Sequence, residues 1–256
     1  MKFHEMTARQ IAATNREQSL VVVPIAAVEQ HGPHMPTGTD TILCTAVAQA
    51  LEARLPDRVL ITPTVWLGAS AHHLRFGATI DSALDHYIQT LCDIGRSLLG
   101  DGFLRVWFLN GHGGNIDPMK VAARMLQPLN NKALIAAASY WAVADDLLRE
   151  VLDGHHKFVG HACEFETSMM LHLRPELVQA SRRDAGTLVD DNLHGVFLSR
   201  DMRHRTREGY TGRPDLATAE KGKALFNGIV DRLHKAAETL LAQPLGTTHA
   251  DFAPNG

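Results

Sequence analysis

The sequence predicts an α/β fold in which a parallel sheet carries helices on both faces. Three observations point there. Short β-branched apolar runs, with LVVVPI at 20–25 the clearest, have the composition of strands buried on both faces. Stretches with helical apolar spacing separate these runs, as in successive βαβ units. Histidine- and glycine-rich loops recur between the elements, and an open parallel sheet gathers its ligands beyond the carboxyl ends of its strands.

The elements follow in order. Residues 21–25 form the first strand and run into a polar loop over 29–40 that contains Gly and Pro. A helical pattern covers 41–55 and stops at Pro56. RVLITPTV at 58–65 reads as the second strand, and 67–79 is irregular, with His72 and His73 on it. A helix over 84–99 ends at Gly100 and Gly102. The third strand is 105–110, followed by a glycine-rich loop at 111–115 and a helix over 118–126. An apolar run at 133–139 is the fourth strand, with a short helix near 145–152. Residues 181–215 are polar and arginine-rich, which predicts a long loop excursion before a closing helix at 216–241.

Composition narrows the function. The chain has 256 residues, 45% hydrophobic and 21% charged, as expected of a packed globular protein. A formal net charge of -3 gives no positive field for nucleic acid. Cys44, Cys92 and Cys163 are odd in number and lack a CxxC spacing, so they read as reduced cytoplasmic thiols. The first 18 residues lack the apolar stretch of a signal peptide, and no run is long enough to span a membrane.

The chemistry concentrates in three groups: EQHGPH at 29–34 followed by Thr39-Asp40, NGHGGN at 110–115, and HACEFETS at 161–168, which enters a helix. All three are expected in loops after strands. A single histidine in a polar loop is usually solvated, but imidazoles and carboxylates recurring in several such loops suit a divalent ion such as Zn, and Mn as well. Asp40 has two oxygens with which to bridge two cations. Two metals about 3.5–4 Å apart can hold a hydroxide and polarise a carbonyl, without a protein nucleophile. No G-x-S-x-G elbow or catalytic cysteine signature is present.

EQHGPHMPTGTDT, FLNGHGGN, SYW at 139–141, HACEFETSMML and GYTGRPDLATAEKG at 209–222 together resemble the creatininase (creatinine amidohydrolase) family. The resemblance implies one creatininase-like domain over 1–256, a three-layer α/β/α sandwich around a mostly parallel sheet. It also implies a binuclear site with two divalent ions per chain, Zn and/or Mn, and a hexamer. One ion would take Glu29, Asp40 and His112, the other His31, Asp40 and Glu166, with Asp40 bridging. His161 matches the family's acid–base histidine and Trp141 an aromatic wall of the pocket. His72 and His73 are candidates for contact with substrate. His34, Asn110, Asn115 and Glu164 are candidates to support the ligands from behind. Gly111, Gly113 and Gly114 would let backbone approach metal or substrate. His155 and His156 read as a solvated turn, and Arg203, Arg205 and Arg207 as a solvated charge run.

Two positions depart from creatininase. Gly114 stands where it has a glutamate that helps to hold its more labile metal, and Lys157 stands at about the place of a lid tryptophan. Both argue against creatinine as substrate. The NGHGGN form is similar to other branches, among them a formamide hydrolase of deazaflavin or riboflavin-type biosynthesis and a peptidase acting on the mycofactocin precursor. The expected function is hydrolysis of the C–N bond of a small cyclic or linear amide by a metal-activated hydroxide. A lactonase or peptidase on the same fold, or a non-catalytic metal-stabilised binding protein, are the alternatives.

Overall fold

A computed structural model describes residues 1–155, 157–186 and 196–246. Strands β1 (Leu20–Ile25), β2 (Val59–Ile61), β3 (Arg105–Asn110) and β4 (Leu134–Ser139) form one sheet in the order β2-β1-β3-β4, every pair parallel. Val22 pairs with Ile61 on one side and Trp107 on the other, so β1 is central. Every residue of β1 and β3 is buried, which is why these strands read as continuous apolar runs.

The helices are α1 (Ala8–Ala12), α2 (Thr39–Arg54), α3 (Leu84–Gly100), α4 (Ile116–Leu126), α5 (Asp145–Val151), α6 (Glu164–Leu173) and α7 (Ala219–Ala242). Successive strand residues face opposite layers. Val21, Val23 and Ile25 pack with Leu91 and Leu98 of α3 and Met119 and Leu126 of α4. Leu20 and Val22 belong to the opposite core, with Leu43 and Val47 of α2, Phe165 and Met169 of α6 and Leu225 and Ile229 of α7. The result is the α/β/α sandwich, with two apolar cores separated by the sheet.

Several boundaries differ from expectation. β2 spans three residues rather than eight, because Pro63 has no N–H to donate to a ladder. Pairing resumes beyond it, where Val65 N donates to the Pro24 carbonyl at 2.9 Å. The irregular 67–79 stretch contains a 3-10 turn, Ala71–Phe76, that carries both histidines. α2 begins two residues early, placing Asp40 in its first turn instead of the preceding loop. α7 begins at Ala219, where the Thr218 side chain accepts from Lys221 N. The excursion holds only the short turns Met202–His204 and Pro214–Leu216 among its described residues; 187–195 lie outside them.

Candidate metal centre

Two of the three motif groups sit where β1 and β3 end. The third does not follow a strand: α5 and a loop precede it, and His161 and Glu166 arrive at the N-terminus of α6. All five expected metal ligands nevertheless meet. His31 Nε2 lies 3.1 Å from Asp40 Oδ1 and 4.0 Å from Glu166 Oε1. His112 Nδ1 lies 3.0 Å from Asp40 Oδ2 and 3.3 Å from Glu29 Oε1.

Backbone carbonyls decide which nitrogen of each ring faces inward. His31 Nδ1–H donates to the Glu29 carbonyl at 3.1 Å, leaving Nε2 for the cluster. His112 Nε2–H donates to the Ala69 carbonyl at 3.1 Å, leaving Nδ1. Asn110 fixes His112 from both sides: Oδ1 accepts from His112 N and Nδ2 donates to its carbonyl at 2.6 Å. Asn115 ties two loops together, accepting from Ala69 N at 3.0 Å and donating to the Ala26 carbonyl at 3.0 Å.

Both oxygens of Glu29, His31 Nε2, Asp40 Oδ2 and Glu166 Oε2 are buried without a hydrogen-bond partner. Stripping such groups from water is costly, and bound divalent ions would compensate them. Three sets offer ligand atoms within 4.8 Å of one another: Glu29, His31 and His161; Glu29, His72 and His112; and His31, Asp40 and Glu166. The mixture of carboxylate oxygen and imidazole nitrogen fits Zn or Mn.

The electrostatics agree. Burial works against a proton on His31, yet Asp40, Glu166 and Glu29 outweigh it and raise its pKa to about 10. Burial also opposes charge on His112, but Glu29 and Asp40 hold it well above the ordinary range. Asp40 is held low, because the pull of His31 and His112 exceeds its burial. Burial pushes Glu166 up to about 7. A pocket negative enough to charge two buried imidazoles is one that attracts a cation.

The remaining candidates divide. His161 has Nε2 donating to the Gln30 carbonyl at 2.7 Å, its backbone N bonded to Thr211 Oγ1 at 2.8 Å, and Nδ1 facing Glu29 Oε1 at 3.5 Å. Burial lowers its pKa well below the ordinary value, helped by His31 and His73. His73 accepts at Nδ1 from Gln30 Nε2 at 2.7 Å, which turns Nε2 toward Glu29 at 3.3 Å. His72 is half-buried and stacks on His112 with centroids 5.8 Å apart. Trp141 is half-buried, packs edge-on against Tyr140 and joins the core beneath β4.

Glu164 faces elsewhere. It accepts from Asp153 N, Gly154 N and Lys221 Nζ, so it braces the start of α6 rather than any cluster ligand. His34 also acts at one remove: its ring bonds the Ala162 carbonyl and Thr167 Oγ1, fixing the segment that carries His161 and Glu166. Of the glycines, Gly111 lies close against Cys44 and Gly114 against the Ala69 carbonyl and His112, while Gly113 faces open space. Arg203 is not simply solvated; its Nε donates to the Arg75 carbonyl and its guanidinium covers Phe76. Lys157 is exposed and bonds the Leu152 carbonyl, His155 is exposed, and His156 lies outside the described residues.

Sequence reasoning missed Gln30. Its Nε2 donates to the Gly209 carbonyl at 2.7 Å and lies 3.2 Å from His161, so it joins the first motif to the excursion. Its place between two ligand candidates in Glu-Gln-His was the available signal.

The family model for creatinine amidohydrolase matches residues 4–237. The chain belongs to the creatininase family. It is 31% identical over 249 residues to the mycofactocin precursor peptide peptidase of Mycobacterium tuberculosis, covering 94% of this chain and 92% of the relative. It is 25% identical over 261 residues to the 3-dehydro-scyllo-inosose hydrolase of Thermotoga maritima, covering 93% and 83%. A solved structure of creatininase with Mn shares the fold with a TM-score of 0.80 at 23% identity, covering 94% of this chain and 99% of that one. Creatininase-family membership and a buried N/O cluster make this an amidohydrolase-type hydrolase with candidate metal-binding residues.

Proposed function

We propose that the protein cleaves the C–N bond of a small cyclic or linear amide, using two divalent ions, Zn and/or Mn, held by Glu29, His31, Asp40, His112 and Glu166. The observation that best supports two ions is the orientation of Asp40. Its Oδ1 faces His31 and its Oδ2 faces His112, with Glu166 beyond the first and Glu29 beside the second. One ion would take Glu29, Asp40 and His112, and the other His31, Asp40 and Glu166. Such a pair, when bound, activates water and polarises the substrate carbonyl.

The protein residues supply the rest. Of the three rings within 3.5 Å of Glu29 Oε1, His161 is the most exposed, at 13% against 2% for His73 and 3% for His112, so it would meet an arriving substrate. With Nε2 tied to the Gln30 carbonyl, its Nδ1 is the atom that would carry a proton to the leaving nitrogen. Asn110 and the Ala69 carbonyl hold His112 in orientation while this happens. Trp141 and His73 would border the substrate. The same reading takes 1–256 as one domain, cytoplasmic and hexameric; the three cysteines, all free and buried, suit a reducing compartment.

A second reading, a peptidase, is favoured by the 31% identity to the mycofactocin precursor peptide peptidase across nearly the whole of both chains. One screen separates them: protein supplied with Zn or Mn is offered small amides, lactones and short peptides. Turnover of small amides supports the first reading, and cleavage confined to peptides the second. No turnover of any class by fully metal-loaded protein would leave a metal-stabilised binding protein.

A further inference from the structure

The loop that carries His72 closes over the one position where the NGHGGN motif lacks a carboxylate. A Cβ built on Gly114 would lie 2.1 Å from the Ala69 carbonyl oxygen, 2.5 Å from His112 Nε2 and 2.9 Å from His72 Cε1. Real Cβ contacts essentially never fall that short, and the nearest obstacle is backbone. Position 114 therefore has no room for a glutamate, and the missing carboxylate is not a simple deletion. The space beside His112 is taken by residues 69–72.

His72 is placed to serve there. One of its ring nitrogens lies within 4.8 Å of ligand atoms of both Glu29 and His112. Ligands that share one ion at about 2 Å stand about 3.3–3.5 Å apart, so shifts on the order of 1 Å bring the three onto a common ion. The ring already lies nearly parallel to His112, with an interplanar angle of 16°. Its turn is anchored on both sides: Ala69 N donates to Asn115 Oδ1 at 3.0 Å and Ser70 N to Asp81 Oδ1 at 2.7 Å.

Resting on the two-ion reading above, we propose that His72 is a ligand of the ion held by Glu29 and His112, an imidazole serving where creatininase uses a carboxylate. Exchanging oxygen for nitrogen removes one negative charge from that half of the site. It also moves the donor set toward the borderline ligands that suit Zn, and away from the carboxylates that suit Mn. The two ions of this protein then differ in preference, with the Glu29–His72–His112 position selective for Zn.

The test measures metal affinity rather than turnover. Dissociation constants for Zn and Mn are determined by chelator competition on the full-length protein, the His72→Ala variant and His72→Phe, which keeps a ring stacked on His112 but has no ligand nitrogen. In both variants one of the two ions should bind more weakly by at least about 10–100-fold, the loss that even indirect partners of a metal ligand produce. The other ion should be unchanged. The His72→Asp variant should regain the weakened ion and favour Mn over Zn relative to the wild type. Cobalt-loaded wild type and His72→Phe should differ in their visible d–d absorption. Two ions retained within twofold by both His72→Ala and His72→Phe, with an unaltered cobalt spectrum, would overturn the proposal and leave the two-ion reading standing. A wild type that binds no divalent ion would overturn both.

Discussion

Asp40 and His161 lie within the same cluster, yet they should fail in different ways. Asp40 contacts His31 and His112, the imidazoles of the two proposed half-sites, and it sits in the first turn of α2, where the helix dipole favours its charge. Asp40→Ala should therefore remove both ions and all activity, read by elemental analysis beside turnover. His161→Ala should keep both ions and slow turnover by roughly 10²–10⁴-fold, the usual worth of a positioned general acid. Loss of an ion from His161→Ala would instead make its Nδ1, which faces Glu29, a ligand. Creatinine should be a poor substrate, since position 114 is closed to a glutamate and Lys157 bonds the Leu152 carbonyl at the surface. Turnover of creatinine at an ordinary enzymatic rate, about 10 per second, would refute that. At this scale the sequence offered the ligand candidates and some of their supports, Asn110, Asn115 and His34, but not Gln30. Glu29, His31, Asp40 and His112 are legible because each lies in a short motif. The bracing by Gln30 is not, since it depends on Gly209, far along the chain.

α6 decides which glutamate reaches the cluster. Two residues along a helix turn it by about 200°, so Glu164 and Glu166 point to opposite sides. Glu164 is spent on Lys221 of α7 and two backbone N–H groups after α5, which leaves Glu166 to face His31. The two helices touch at Gly222, where a Cβ would lie 1.9 Å from the Ser168 carbonyl oxygen. Gly222→Ala should push α7 off α6 and destabilise the fold by about 1–3 kcal/mol, measured as a lowered melting temperature. Gly113→Ala, facing open space, should change it little, and equal shifts for the two would refute the packing argument. β1 and β3 were legible because both-face burial favours apolar runs, and β3 runs over 105–110 as expected. β2 was overestimated because Pro63 interrupts pairing within an apolar run. The third motif was expected after a strand, but α5 and a loop precede it, with no strand between α5 and α6.

For the whole molecule, two expectations remain to be tested. Several large apolar side chains stay exposed on the single chain, among them Trp66 at 48%, Leu84 at 56% and Phe197 at 81%. A hexamer would cover such groups, and light scattering should then report six times the 28.1 kDa chain mass; a monomer at micromolar concentration would refute it. The second expectation links the site to stability. The loops that end β1 and β3 and the start of α6 converge on the ligand cluster, which buries the carboxylates of Glu29, Asp40 and Glu166 together. Ions that bind the folded state alone stabilise it by about 2.7 kcal/mol at 100 times their dissociation constant. For a chain of this size each kcal/mol moves the melting temperature by roughly 2–4 °C. Freshly purified protein should carry close to two ions per chain, and stripping them with a chelator should lower the melting temperature by at least about 5 °C. Adding back Zn or Mn should restore it. If elemental analysis shows the ions gone while the melting temperature stays put, the cluster is not what joins these three segments.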